Sequence, residues 1–309
     1  MKLFILSKKD IKLSEAEVRA QFSRHKCIIK DEFMFVNSIS KKYERLAYTK
    51  EVYSVLFSCK MSKLIETIKN YNWNKIIKKK TFKIESDFQK KEIALIIWFC
   101  LKNPKVQMKN PDILIRLFLV KGIVYATKFE WKNENKCLDR KPHTRPGFYP
   151  ASIDPQLAKA MVNLAGVKGV IVDPFVGTAG ILIEAAYLNH KCIGIDRNMK
   201  MLELAKMNIK HYKLKNVEIK HGDARTFYYR CPVIVTEPPF GKNTRSEDLI
   251  SLYTLFLENA KRSTSKIVIN FPSTVDYKKI IKKTGWKITN EFSWYIHKSL
   301  TRMILTLTI

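Results

Sequence analysis

Glu237, Pro238, Pro239 and Phe240 stand in a row after an apolar run, Cys231 to Thr236, that reads as a buried strand. Proline fixes φ and has no N–H, so these four residues make a rigid lip at the carboxyl end of a strand. Such a lip suits an exocyclic amine. The carboxylate and a proline carbonyl can each accept one amine hydrogen, and the phenyl ring can stack on a flat base. An isolated Pro-Pro is more simply a turn that closes a strand. Here the pair follows a second chemical motif by one strand–helix–strand unit, and the catalytic reading is preferred.

That second motif is a glycine turn. Val170 to Val172 is a short β-branched run suited to a strand buried on both faces, and Asp173-Pro174 ends it. Gly177 and Gly180 bracket a turn where missing side chains would let a ligand approach the backbone. Helical character begins at Thr178, with Ile181, Leu182, Ala185 and Leu188 on one face. A second apolar run, Cys192 to Ile195, ends in Asp196. An acid at that point, about 20 residues past the glycines, accepts ribose hydrogen bonds in dinucleotide folds. The pattern predicts a nucleotide-type cofactor. Asp223, after the strand starting at Val217, is placed either to meet an adenine amine or to cap the next helix.

The elements that must carry these residues fit within 309 residues, enough for two domains of about 100–200 residues each. A hydrophobic share of 46% supports packed cores and argues against a disordered chain. The 57 basic and 28 acidic residues give +29. Up to residue 150 the count is 33 against 15, or +18, and beyond it 24 against 13, or +11. Such an excess points to a polyanionic partner, nucleic acid above all, although a genome-wide lysine bias would give the same sign. The six cysteines, Cys27, Cys59, Cys100, Cys137, Cys192 and Cys231, match neither a zinc ribbon nor a disulfide framework, so no metal is expected. The longest apolar run, Ile93 to Leu101, is too short to span a bilayer, and a soluble, cytoplasmic protein without a membrane partner is expected.

The first half reads as two αβ modules. Lys2 to Leu6 is a strand, and Leu13 to His25 a helix opened by a Ser14–Glu17 capping box. Cys27 to Ile29 and Phe33 to Val36 pair as strands, while Leu46 to Phe57 mixes strand with the start of a helix. Phe82 to Ile84, the helix Phe88 to Phe99, then Val106 to Lys109, Ile113 to Val120 and Ile123 to Thr127 complete the second module. The lysine run Lys75 to Lys80 is either a solvated face or a phosphate-binding surface. Trp131 to Pro150, dense in Pro, Gly and basic residues, suits a surface linker, and its His143 is read as a solvent or phosphate contact. Pro155 to Leu164 is a helix capped by Asp154. Trp286 to Ile288 and Arg302 to Ile309 suggest a closing antiparallel pair.

At these residues the chain resembles the amino-methyltransferases that use S-adenosylmethionine. Asp173-Pro174-Phe175 with Gly177 and Gly180 looks like their cofactor motif, and Glu237 to Phe240 like their acid-Pro-Pro-aromatic motif. Lys105 to Asp112, followed by Ile113 to Val120, resembles the closing strands of the THUMP domain, an RNA-binding module. Arg145 to Phe148, Leu164 to Gly166, and His297-Lys298-Ser299-Leu300-Thr301-Arg302 narrow the resemblance to the THUMP-containing tRNA guanine-N2-methyltransferases of the archaeal guanosine-10 type.

The resemblance implies an α/β chain. A ferredoxin-like domain would occupy residues 1–60, a THUMP-like RNA-binding domain 61–130, a linker 131–150, and a Rossmann-like methyltransferase domain 151–309. It implies S-adenosylmethionine as cofactor, bound through Asp173, Phe175, Gly177, Gly180, Asp196 and Asp223. It implies catalysis by Glu237, Pro238, Pro239 and Phe240, and tRNA as partner. It leaves open a small activating protein subunit, the oligomeric state and the number of methyl groups added.

The chain departs from the family at Glu237, where Asp or Asn is usual, and at Phe240, where Tyr is usual. One added methylene moves the carboxylate by roughly 1.5 Å. Two other readings therefore stand beside the enzyme acting on tRNA: a DNA amino-methyltransferase, and an RNA-binding protein whose catalysis Glu237 has ended.

Overall fold

A computed structural model describes residues 1–241, 246–297 and 300–309. The chain divides into two units. One comprises residues 1–15, 22–44 and 49–133, the other 16–21, 45–48 and 134–309.

Unit 1 is built on β1 (Lys2–Leu6), β2 (Cys27–Lys30), β3 (Phe33–Val36), β4 (Thr49–Lys60), β5 (Thr81–Ser86), β6 (Lys105–Val106), β7 (Ile113–Val120) and β8 (Ile123–Lys132). Helices α1 (Ile11–Gln21), α2 (Leu64–Asn70), α3 (Trp73–Ile77) and α4 (Lys90–Phe99) connect them. The strands form one sheet in the order β2-β3-β1-β4-β8-β7-β5-β6. The hairpin joining β7 to β8 turns on Lys121 and Gly122, at φ 48° and 79°. That two-residue geometry needs positive φ at both places, and Gly122 supplies one without strain. Trp73, fully enclosed, anchors a core with Ile68, Phe82, Ile97 and Ile115, and its indole N–H donates to the Ile68 carbonyl at 2.8 Å.

Three local expectations are corrected. The expected helix near Phe57 is absent: β4 runs from Thr49 to Lys60, paired with β1 up to Ser54 and with β8 along its length, so that Phe57 to Lys60 stay in the sheet through β8. This pairing also carries one continuous sheet past residue 60. The strand expected over Val106 to Lys109 is only Lys105–Val106. The capping box at Ser14 does not form. Asp10 Oδ1 accepts from the Leu13 N–H at 2.9 Å, the helix begins at Ile11, and Ser14 Oγ donates to the Asp10 carbonyl at 2.6 Å.

Unit 2 holds α5 (Pro155–Ala165), β9 (Val170–Asp173), α6 (Gly180–Tyr187), β10 (Lys191–Asp196), α7 (Met199–His211), β11 (Val217–His221), β12 (Val233–Thr236), α8 (Ser246–Ala260), β13 (Lys266–Pro272), α9 (Tyr277–Lys283), β14 (Lys287–His297) and β15 (Leu300–Thr308). Among the described residues its sheet has the order β11-β10-β9-β12-β13-β15-β14. The first five strands are parallel, and β15 runs antiparallel between β13 and β14. The expected closing pair is present. Strand order reverses between β9 and β12, the switch point at which open α/β sheets bind ligands. As expected, Asp154 caps α5, accepting from the Gln156 and Leu157 N–H groups.

Residues 16–21 and 45–48 complete unit 2 through a buried polar network. The Glu17 carboxylate accepts from the backbone N–H of Ala47 (2.6 Å) and Tyr48 (2.9 Å) and from Asn163 Nδ2 (2.6 Å). Arg45 Nε donates to Asn163 Oδ1 at 2.8 Å, and Arg45 Nη2 donates to His190 Nε2 at 2.9 Å. This use of Glu17 is the reason it does not cap its own helix. Of the stretch 131–150, read from the sequence as a surface linker, residues 134–150 lie within unit 2, and Cys137 and Arg145 among them are buried.

Candidate active site

The carboxyl ends of the central parallel strands carry the chemistry. β10 ends at Asp196, β9 at Asp173, and β12 at Thr236, just before Glu237. Because β10, β9 and β12 are neighbours in that order, the alternation of the chain brings three acids to one edge of the sheet.

Asp173 is only 1% exposed. Its Oδ1 accepts from Thr236 Oγ1 at 2.5 Å and from the Phe175 N–H at 3.1 Å. Burial pushes its carboxyl up to about 7, with those two hydrogen bonds acting against the rise and the charges of Asp196 and Glu237 adding to it. Asp173 thus braces the turn across the switch point through Oδ1. Phe175 is turned into the core, edge-on to Phe256 at 5.1 Å.

The glycine turn has two different glycines. Gly177 has φ 50° and donates its N–H to Asp196 Oδ2 at 3.0 Å. A Cβ there would meet nothing closer than the Phe175 carbonyl at 4.0 Å, so this glycine leaves the backbone open to a ligand. A Cβ on Gly180 would lie 2.9 Å from Ile153 Cγ2 and 3.2 Å from Arg145 Nη1. The missing side chain of Gly180 is therefore required by this packing. The other left-handed residue of the turn is Ala179, at φ 67°. Asn208 fastens this region from α7: its Oδ1 accepts from Gly147 N, and its Nδ2 donates to the carbonyls of Gly147 and Thr178.

Asp196 also accepts from the Asn198 N–H through Oδ1. Asp223 lies two residues past β11. Its Oδ1 accepts from the Arg225 N–H at 2.8 Å, and its carboxylate pairs with the Arg225 side chain. The Arg225 guanidinium holds the Asp223 carboxyl down at about 2. Among the described residues no helix starts between β11 and β12, so the helix cap expected as a competing use of Asp223 is not formed; the carboxylate closes a local turn with Arg225 instead.

Glu237 Oε1 accepts from Arg302 Nε at 2.5 Å and from Asn270 Nδ2 at 3.2 Å. Among the described residues Oε2 has no such donor, and the side chain keeps 14% exposure. Burial raises the Glu237 carboxyl above the usual carboxylate range, while Arg302 and Asn270 act against that rise. The Arg302 guanidinium carbon also lies 5.5 Å from the Phe240 ring centroid, a cation–π distance. Tyr253 donates its hydroxyl to the Pro239 carbonyl at 2.6 Å, which leaves the Pro238 carbonyl without a donor among the described residues.

Asn270 and Arg302 were given no role by the sequence reading. A lone amide inside the apolar strand Lys266–Pro272 was the available signal for Asn270. Arg302 belongs to the His297 to Arg302 motif, of which Lys298 and Ser299 lie outside the described residues. Among the described residues no group of three or more His, Cys, Asp or Glu could hold a metal ion.

A family model described as an RMKL-like methyltransferase domain matches residues 142–302, just over half of the chain. The chain belongs to the RMKL-like methyltransferase family. A second model, described as a DNA methylase, matches residues 7–207 and stops short of the Glu237 lip. This RMKL-like methyltransferase is 31% identical over 278 residues to a tRNA (guanine(10)-N2)-dimethyltransferase of Methanothermobacter thermautotrophicus, covering 84% of this chain and 82% of the relative. It is 29% identical to the protein of the same name from Pyrococcus abyssi, over 94% of both chains. Among solved structures, TrmN from Thermus thermophilus shares the fold, with a TM-score of 0.52 at 17% identity over 99% of each chain.

The cofactor of this RMKL-like methyltransferase is S-adenosylmethionine, which supplies an activated methyl group. The residues present fit it: the open backbone at Gly177 admits a close approach, and Asp196 and Asp223 offer carboxylates at adjacent strand ends for ribose and base donors. No helix among the described residues is long and apolar enough to cross a membrane.

Proposed function

We propose that the chain methylates the exocyclic N2 amine of a guanosine in tRNA, at position 10. The observation that carries this reading is the Glu237 carboxylate anchored through one oxygen by Arg302 and Asn270, with Pro238 and Phe240 beside it. The relatives' names agree with it.

The target guanine leaves its stack and enters the lip. Glu237 Oε2 and the Pro238 carbonyl each accept one amine hydrogen, and the Phe240 ring stacks on the base. The amine lone pair is delocalised into the ring, so alignment is the main requirement. As positive charge develops on the nitrogen, the Glu237 carboxylate stabilises it and takes the departing proton. Gly177, Asp196 and Asp223 hold the cofactor, while Asp173, Phe175 and Gly180 shape the turn that presents it.

Residues 1–60 and 61–130 are proposed as ferredoxin-like and THUMP-like RNA-binding regions acting in the cytoplasm. The lysine excess of the first half supports their contact with RNA.

Labelled methyl transfer to unmodified tRNA and to DNA, with nucleoside analysis, tests the reading. N2-methylated guanosine from tRNA alone supports it. N6-methyladenosine or N4-methylcytosine from DNA would replace it with the DNA reading, which the match to a DNA methylase model favours. Cofactor binding with no product would replace it with a binding-only role.

A further inference from the structure

Unit 1 contains a cavity of about 340 Å³ that the methyl-transfer site does not use. Lys75, Lys78, Lys80 and Lys128 line it against a single carboxylate, Asp112. Asp112 is already engaged: its Oδ2 accepts from Thr81 N at 2.9 Å and from Thr81 Oγ1 at 2.7 Å. Lys75 and Lys78 make no ion pair among the described residues. Lys128 also lies 3.9 Å from Glu130, so the cavity sets Lys75, Lys78 and Lys80, with this partly paired fourth cation, against one committed anion, a receptor for negative charge. The volume lies at the lower end of the range of ligand pockets, about 300–1,000 Å³.

The backbone carries an independent observation. Lys80 N donates to the Ile77 carbonyl at 3.1 Å and closes a four-residue turn, Ile77 to Lys80. Its first central residue is Lys78, at φ 52° and ψ −129°. Glycine is the usual residue at that position of a type II′ turn, because a Cβ is strained there. Strain of this kind clusters at functional sites and persists where the surrounding structure holds it. The strained side chain is one of the four that line the cavity.

We propose that this cavity seats backbone phosphates of the RNA substrate, held by Lys75, Lys78, Lys80 and Lys128. The proposal rests on the reading of the chain as a tRNA methyltransferase. It places one contact of the basic first half at a defined site, and Ile76 and Ile113 give that site apolar walls.

The test is binding of an unmodified tRNA transcript as a function of potassium chloride, for the full-length wild type, Lys78→Gly and Lys75→Ala/Lys128→Ala, with thermal melting of each. Lys78→Gly relieves the turn, so it melts at or above the wild-type temperature yet binds the transcript several-fold more weakly. The double variant lowers the slope of log affinity against log salt by about 1.5, at roughly 0.7–0.9 per lost phosphate contact. Wild-type affinity and slope in both variants, alongside wild-type methyl transfer to tRNA, would overturn the cavity proposal and leave the enzyme reading standing. A wild type that neither binds nor methylates tRNA would overturn both.

Discussion

Arg302 donates its Nε hydrogen to Oε1 of Glu237 at 2.5 Å, from the strand two places away in the sheet. Asn270, on β13 between them, adds a second donor to the same oxygen. The longer glutamate side chain is therefore held at a fixed reach through one oxygen. The departure from the family's usual Asp or Asn is matched by partners placed for Glu.

Glu237→Asp is accordingly expected to impair the enzyme even though it restores the common residue. The carboxylate retracts by roughly 1.5 Å and leaves Arg302. Misplacement on that scale lowers kcat on the order of 10–100-fold, with cofactor affinity unchanged by equilibrium binding. An aspartate variant as active as wild type would show that Arg302 does not set the carboxylate.

Arg302→Ala removes the charge that opposes the burial of Glu237. The Glu237 carboxyl then moves further up, so the acidic limb of the pH–rate profile shifts to higher pH, because the carboxylate is the working form. Loss of the pair also lowers stability by about 2–3 kcal/mol, less than for a fully enclosed ion pair. A pH profile identical to wild type would place Arg302 outside the chemistry.

Asp173 gives a stability prediction of defined sign. Its folded value, about 7, lies above the unfolded value near 3.9, so the folded state favours the protonated acid. That contribution is fully present below about pH 4 and is lost as pH rises towards 7, in total on the order of 3–4 kcal/mol. Asp173→Asn keeps an acceptor for Thr236 and Phe175 and removes the titration. Relative to this variant, wild type should lose melting temperature between pH 4 and 7. Parallel curves would contradict the account.

Asn163 tests the network that completes unit 2. Asn163→Ala leaves Glu17 and Arg45 each short of a buried partner and should cost about 2–4 kcal/mol, read by denaturant unfolding. A loss below about 0.5 kcal/mol would mean the network is not structural.

What the sequence revealed was local. Val170 to Val172, the glycine turn, Asp196 and the lip at Glu237 all lie close together in the chain, and their periodicity and turn residues place them at strand ends. The roles inside the turn were less legible. Gly177 and Gly180 look alike as letters, yet only contact with Ile153 and Arg145, distant in sequence, shows that Gly180 serves packing. The type of Asp173 suits a ligand contact, while its hydrogen bond with Thr236, 63 residues on, leaves no local sign. Glu17 read as a cap because the local spacing fits, and its partners at Ala47, Tyr48 and Asn163 win by enclosing it. Long-range burial decides such cases, and no spacing rule encodes it.

The most direct measurement is transfer of labelled methyl groups to a tRNA transcript, comparing wild type with Glu237→Ala and a transcript lacking guanosine at position 10. The account predicts N2-methylated guanosine from wild type on the intact transcript, and none from the variant or the altered transcript. Product from Glu237→Ala at the wild-type rate would contradict it.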